Sequence, residues 1–208
     1  MGWTGTGKTT YTKRLISQLT TLFHFPVYIL DSKQSRDDFV KWPFIVYDEY
    51  GPVFDRWPTK ISRRQKLPYP LVIWKPPNDN IHAYNDWLER ILKTRKPALV
   101  VIDEVSSLGK DKPDSYPPSL VKIMKQGRGL YINMIIESQE ASHMPKSILD
   151  QSTHYIRFQL KNSYDNNRLD TMLLPAKQPE DKHGFHYYHS HDGPVQGPWY
   201  YKSWTDFF

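Results

Sequence analysis

The 208-residue sequence contains no cysteine. Disulfides and thiolate metal sites are therefore excluded, and the reducing interior of a cell is the expected compartment. Long apolar runs are missing too: none approaches the roughly 18 residues that a helical membrane span needs, and no charged-then-apolar leader opens the chain. We expect a soluble protein without a membrane span that is not secreted. Acidic residues are in the minority, 22 against 28 Lys plus Arg, which gives a formal charge of +6. That balance suits a polyanionic partner, although a merely solvated basic surface would give the same count.

What is present begins at once. The opening GWTGTGKT fits the phosphate-loop pattern GxxxxGK[ST], with Gly2, Gly7, Lys8 and Thr9 in register. Glycines at positions 2, 5 and 7 let backbone amides turn inward around phosphate oxygens, and the helix that follows directs its positive end at them. Thr4, Gly5, Thr6, Gly7, Lys8, Thr9 and Thr10 are the candidate nucleotide-binding residues, with Lys8 on the terminal phosphates and Thr9 on magnesium. ATP and Mg2+ are the expected ligands. Such a loop normally joins a buried strand to a helix, yet here one methionine stands in the strand's place. The strand comes from upstream of Met1, or a tail segment such as PWYYKSW fills its place, or it is absent and the halves close up. The first is our expectation.

Beyond the loop, apolar and polar residues alternate between two periods. Tyr11, Leu15, Ile16, Leu19 and Phe23 mark one face of a helix, and PVYILD is a buried strand ending at Asp31. Apolar runs recur at PFIVYDE and PYPLVIWKPP. IHAYNDWLERILKTRKP places Ala83, Trp87, Leu88, Ile91 and Leu92 on a helical face, with Pro97 as its stop. ALVVIDE is the strongest strand, of the kind found inside a parallel sheet covered on both faces. SLVKIMKQGRG predicts a short helix stopped at Gly127 or Gly129, and LYINMIIESQ a buried strand reaching Gln139. PKSILDQ predicts a helical turn, THYIRFQL a strand and SYDNNRLDTML a last helix; GFHYYHS and PWYYKSW predict an antiparallel hairpin. Strands alternating with helices imply a three-layer α/β fold with a mainly parallel sheet, the P-loop NTPase class. We expect a P-loop ATPase domain over 1–174 and a hairpin extension of it, rich in aromatics and histidine, over 175–208.

Two acids end the strongest strand. Asp103 would bind magnesium through water, and Glu104 would polarise the water that attacks the terminal phosphate. Without the loop, the pair would simply cap a strand at the surface. Gln139 is a neutral amide able to donate to a phosphate oxygen or the attacking water. Arg128 precedes its strand and so belongs to the opposite edge of the sheet from its own chain's nucleotide; it suits an arginine finger acting in trans. As alternatives, Gln139 is a surface polar residue and Arg128 a solvated helix-end arginine.

Taken together, GWTGTGKT, the strand ending in DSK, VVIDE and GRGLYINMIIESQEASHMP resemble the FtsK/HerA superfamily of DNA-pumping ATPases, most of all its small viral genome-packaging members. The resemblance runs from Gly2 to about Leu160 and is most specific from Gly127 to Gln139. It implies roles for Asp103, Glu104, Gln139 and Arg128, a homo-oligomeric ring, hexameric in many members, that threads double-stranded DNA, and a capsid or portal-vertex partner. The expected location is the host cytoplasm or the packaging vertex of the virion. Asp31 and Lys33 match an Asp-x-Lys of several members, to which we assign no chemistry.

Lys60, Arg63, Arg64 and Lys66, near Trp57 and Tyr69, are candidate DNA contacts, with Lys93, Arg95 and Lys96 as a second basic group; solvated loops would look the same. His183, His186, His189 and His191 are spaced too loosely for a metal and read as hairpin residues. The expected function is ATP-driven translocation of double-stranded DNA in packaging a viral genome. The alternatives are a nucleotide-dependent assembly ATPase that does not pump DNA and a small P-loop kinase; the DE pair and Gln139 count against the kinase.

Overall fold

A computed structural model describes residues 1–2, 4–23, 25–32, 71–74, 76, 80–109, 116–144, 146–172, 185–189 and 196–199. The chain divides into two units, one of Met1–Lys8 with Ser138–Phe208 and one of Thr9–Glu137. PFIVYDE and the basic segment with Lys60, Arg63, Arg64 and Lys66 lie outside the described residues, as do Lys33, Trp57, Tyr69, His183 and His191.

The Thr9–Glu137 unit is a four-stranded parallel sheet in the order β2-β1-β3-β4. Its strands are β1 (Val27–Asp31), β2 (Leu71–Trp74), β3 (Ala98–Asp103) and β4 (Ile132–Ile136). Every residue of β1 and β3 is buried, as continuous apolar runs demand. Because side chains alternate along a strand, each face has its own partners. Val27, Ile29, Ile73, Leu99 and Val101 form one cluster with Ile16 of α1 (Lys8–Phe23), and Leu19 and Ile135 pack against it. On the other face Trp74 stacks on Trp87 of α2 (Ile81–Thr94) with ring centroids 5.6 Å apart, and Tyr28 meets Trp87 edge-on at 6.4 Å. The Ser119 amide of α3 (Pro118–Gln126) donates to Asn85 Oδ1 of α2 at 2.9 Å. Helix, sheet and helices make three layers, as expected.

Several boundaries differ from the sequence expectation. Asn80 caps α2 by accepting from the His82 amide at 2.9 Å, and the helix ends before Pro97, where Arg95 turns left-handed at φ 52° and its amide donates to Leu92 O. Phe23, placed on the apolar face of α1, is 59% exposed and stacks on Phe25. The fourth strand stops at Ile136, three residues short of Gln139.

The other unit contains α4 (Lys146–Gln151), β5 (His154–Phe158), α5 (Ser163–Met172), β6 (Phe185–His189) and β7 (Gln196–Trp199). β5, β6 and β7 form an antiparallel sheet in that order, so the expected hairpin exists and its first strand also pairs with β5. The described part of the PWYYKSW segment lies beside β6 and does not pair with the opening residues. Met1 does the pairing there itself. Its amino group donates to Ile156 O at 2.6 Å and its carbonyl accepts from the Phe158 amide at 2.7 Å, a one-residue parallel bridge to β5. The next amide, Gly2 N–H, donates the other way, to Ser138 O at 3.1 Å. The Met1 side chain packs on Ala141, Leu160 and Leu169.

Candidate active site

The phosphate loop is built from backbone that only glycine adopts without strain: φ is 79° at Gly5 and 96° at Gly7. Gly2 is fixed by space, since a Cβ there would collide with Cβ of Phe158. Thr6 is fully buried, and Lys8, only 6% exposed, heads α1 with its ammonium donating to Gly2 O. Thr4 and Gly5 are exposed, and the Thr4 hydroxyl donates to Gln139 Oε1 at 2.7 Å. The loop and the strand-end glutamine are thus brought together, although Gln139 arrives on the segment after β4.

At the carboxyl end of the parallel sheet, Asp31 pairs in register with Asp103 and Ile102 with Ile136, which puts Glu137 next to Asp103. Asp31 and Asp103 have no exposed surface and Glu137 has 4%. All three continue the phase of Ile29, Val101 and Ile135, the α1 face. A three-residue connection joins α1 to β1, so the helix runs antiparallel to the strands and its amino end lies at their carboxyl ends. Thr9, partly buried, is in its first turn, followed by exposed Thr10.

Glu104 leaves this row, because its backbone turns left-handed at φ 72° and ψ 80°. For a residue with a Cβ that conformation is strained, and it is held by neighbours. Ser107 Oγ and Ser32 Oγ donate to Glu104 O at 2.7 and 3.2 Å, and Ser32 Oγ also reaches Asp103 O at 2.5 Å. The carboxylate accepts from Ser106 Oγ at 2.5 Å, a serine that orients it. From the neighbouring strand, the Glu137 amide donates to Ile102 O and its carbonyl accepts from the Val105 amide, both at 2.9 Å.

These carboxylates suit a hard cation such as magnesium, which is held by one or two of them along with waters and phosphates. Glu137 offers two buried oxygens with no hydrogen-bond partner. Among the described residues no three His, Asp or Glu side chains gather closely enough to hold a metal by themselves. Arg128 is exposed, in the 3-10 turn before β4, a strand length of roughly 16 Å from the acidic end. Lys93, Arg95 and Lys96 are exposed, with Lys93 3.4 Å from Glu89. Ser32, Ser106 and Glu137 were not expected here from the sequence. Glu137 had a signal: it keeps the inward phase of Ile135 as the strand ends.

The family model described as Poxvirus A32 protein matches residues 1–180. The chain belongs to that family. No curated protein matches it. Among solved structures, it is similar to the genome packaging NTPase B204 from Sulfolobus turreted icosahedral virus 2 in complex with ATPγS, with a TM-score of 0.70 and 14% identity over 94% of this chain and 92% of that one. The same coverage and identity, with a TM-score of 0.69, hold for B204 described as the DNA-packaging ATPase from Sulfolobus turreted icosahedral virus. The AMPPCP complex of the first protein gives 0.67 at 13% identity, again over 94% and 92%. Likeness at this identity establishes a P-loop NTPase fold. It bears out the fold class, and the family match bears out the resemblance to viral genome-packaging ATPases.

Proposed function

We propose that this chain is the ATPase that drives a viral genome into its capsid, hydrolysing ATP with magnesium while moving double-stranded DNA. The observation that carries the reading is the phosphate loop: behind two left-handed glycines a buried lysine heads a helix, in a chain of the A32 family. Lys8 would neutralise the terminal phosphates, and the amides of Thr4 to Thr10 would surround their oxygens. Thr9 and Asp103 would hold magnesium, which when bound neutralises phosphate charge. Glu104, strained and steered by Ser106, would polarise the attacking water, and Gln139, linked to Thr4, would report the state of the loop to the segment after β4.

In this reading Arg128 acts on a neighbour's nucleotide in a homo-oligomeric ring, hexameric by resemblance, that engages a capsid or portal-vertex protein. Residues 1–174 are the ATPase domain and 175–208 its extension, with DNA met by Lys60, Arg63, Arg64 and Lys66. The test is ATP hydrolysis with and without magnesium and with and without double-stranded DNA, alongside mass in solution. Magnesium-dependent turnover stimulated by DNA is expected. Turnover indifferent to DNA would favour the assembly ATPase, and absence of turnover in every condition would overturn both.

A further inference from the structure

Glu137 is a buried acid with no task in the proposed ATPase. It is 4% exposed and neither carboxylate oxygen has a hydrogen-bond partner, an arrangement that is costly unless a ligand relieves it. Its place is not accidental. Backbone bonds to Ile102 O and from the Val105 amide hold it at the turn that carries Asp103 and Glu104. Strand register sets it beside Asp103, and its phase turns it to the face packed by α1. The acids across this end are Asp31, Asp103 and Glu137, while the Glu104 carboxylate is taken by Ser106. A row of buried carboxylates repels phosphate and favours a cation between itself and a phosphate chain.

We propose that Glu137 is a positioning residue for magnesium, accepting hydrogen bonds from water molecules on the ion that Thr9 and Asp103 hold. Magnesium gives up its waters reluctantly, so a carboxylate one strand away from Asp103 would fix those waters rather than replace them. Bonds of this kind orient the ion and raise its affinity without touching the nucleotide.

The inference rests on the ATPase reading, and the test separates the two. A fluorescent ATP analogue is titrated onto the full chain in EDTA and then at increasing magnesium. In Glu137→Gln the magnesium concentration for half-maximal effect rises about 10-fold, the usual cost of losing an outer-shell partner, while affinity in EDTA is unchanged or tighter because an anion has gone. Unchanged magnesium dependence, or equal loss of binding in EDTA and in magnesium, overturns the role of Glu137. If Glu137→Gln does not fold, Glu137→Asp keeps the charge one methylene back; a rise of roughly 3-fold is then expected, and no rise overturns the proposal. If the unaltered chain binds no nucleotide in either condition, it is the ATPase reading that falls.

Discussion

At the carboxyl end of the parallel sheet stand Asp31, Asp103, Glu104 and Glu137, none more than 8% exposed, whereas the residues leading into β3 and β4 at the other end, Arg95, Lys96 and Arg128, are exposed cations. The sheet is acidic and dry at one end, basic and wet at the other. Both ends also hold non-glycine residues in left-handed backbone, Glu104 at the first and Arg95 and Tyr131 at the second. The difference lies in what surrounds them. Arg95 and Tyr131 end helical turns with backbone bonds to Leu92 O and Arg128 O, and their side chains are solvated; Glu104 is gripped by three serines and the turn beside Glu137. Strain at the wet end is local punctuation, and strain at the dry end aims a carboxylate.

Five substitutions test the two ends and the sheet between them. The largest effect is expected from Glu104→Gln, which should lower ATP turnover by roughly 10³-fold or more while nucleotide binding persists, as measured by single-turnover hydrolysis and equilibrium titration. Comparable turnover in that variant would remove Glu104 from the chemistry. Arg128→Ala should cost about 10³-fold with binding intact. Mixing its subunits with Glu104→Gln subunits should restore part of the activity, and Lys96→Ala should leave it unchanged. Equal losses in the two wet-end variants would mean a general charge effect.

Between the ends, burial pushes the Tyr28 hydroxyl from 10.0 up to about 12. Its neutral form is favoured in the folded state, so its contribution is complete below pH 10 and is lost as pH rises through 12. Stability followed by chemical denaturation should fall by roughly 2 kcal/mol across that window in excess of a Tyr28→Phe chain, whose profile should be flatter. The smallest effect is Arg95→Gly: relief of left-handed strain should raise stability by about 0.5–1 kcal/mol without altering hydrolysis.

Much of this was legible because it is local. ALVVID announces a doubly covered strand, GTGKT a phosphate loop, and the Trp87, Leu88, Ile91 spacing one face of α2. What escaped is set by pairing between distant segments. Nothing near Glu137 says that Ile102 will lie opposite Ile136, and without that register its neighbour Asp103 is unknown. Phe23 has the right spacing for the α1 face, yet it belongs to the last turn, where it stays largely exposed and touches the cluster by stacking on Phe25. Gln139 was expected at the end of the strand and lies three residues past it, because the β-rich composition of INMIIESQ runs on after the ladder to β3 ends.

The bond from the Lys8 ammonium to Gly2 O has a thermodynamic consequence. A lysine free in solvent must surrender its rotamer entropy and part of its water shell when it grips a phosphate. Lys8 has surrendered both on folding, so an arriving nucleotide exchanges one oxygen for another around a charge already in position. The loop keeps, in its own first carbonyl, a placeholder for the ligand.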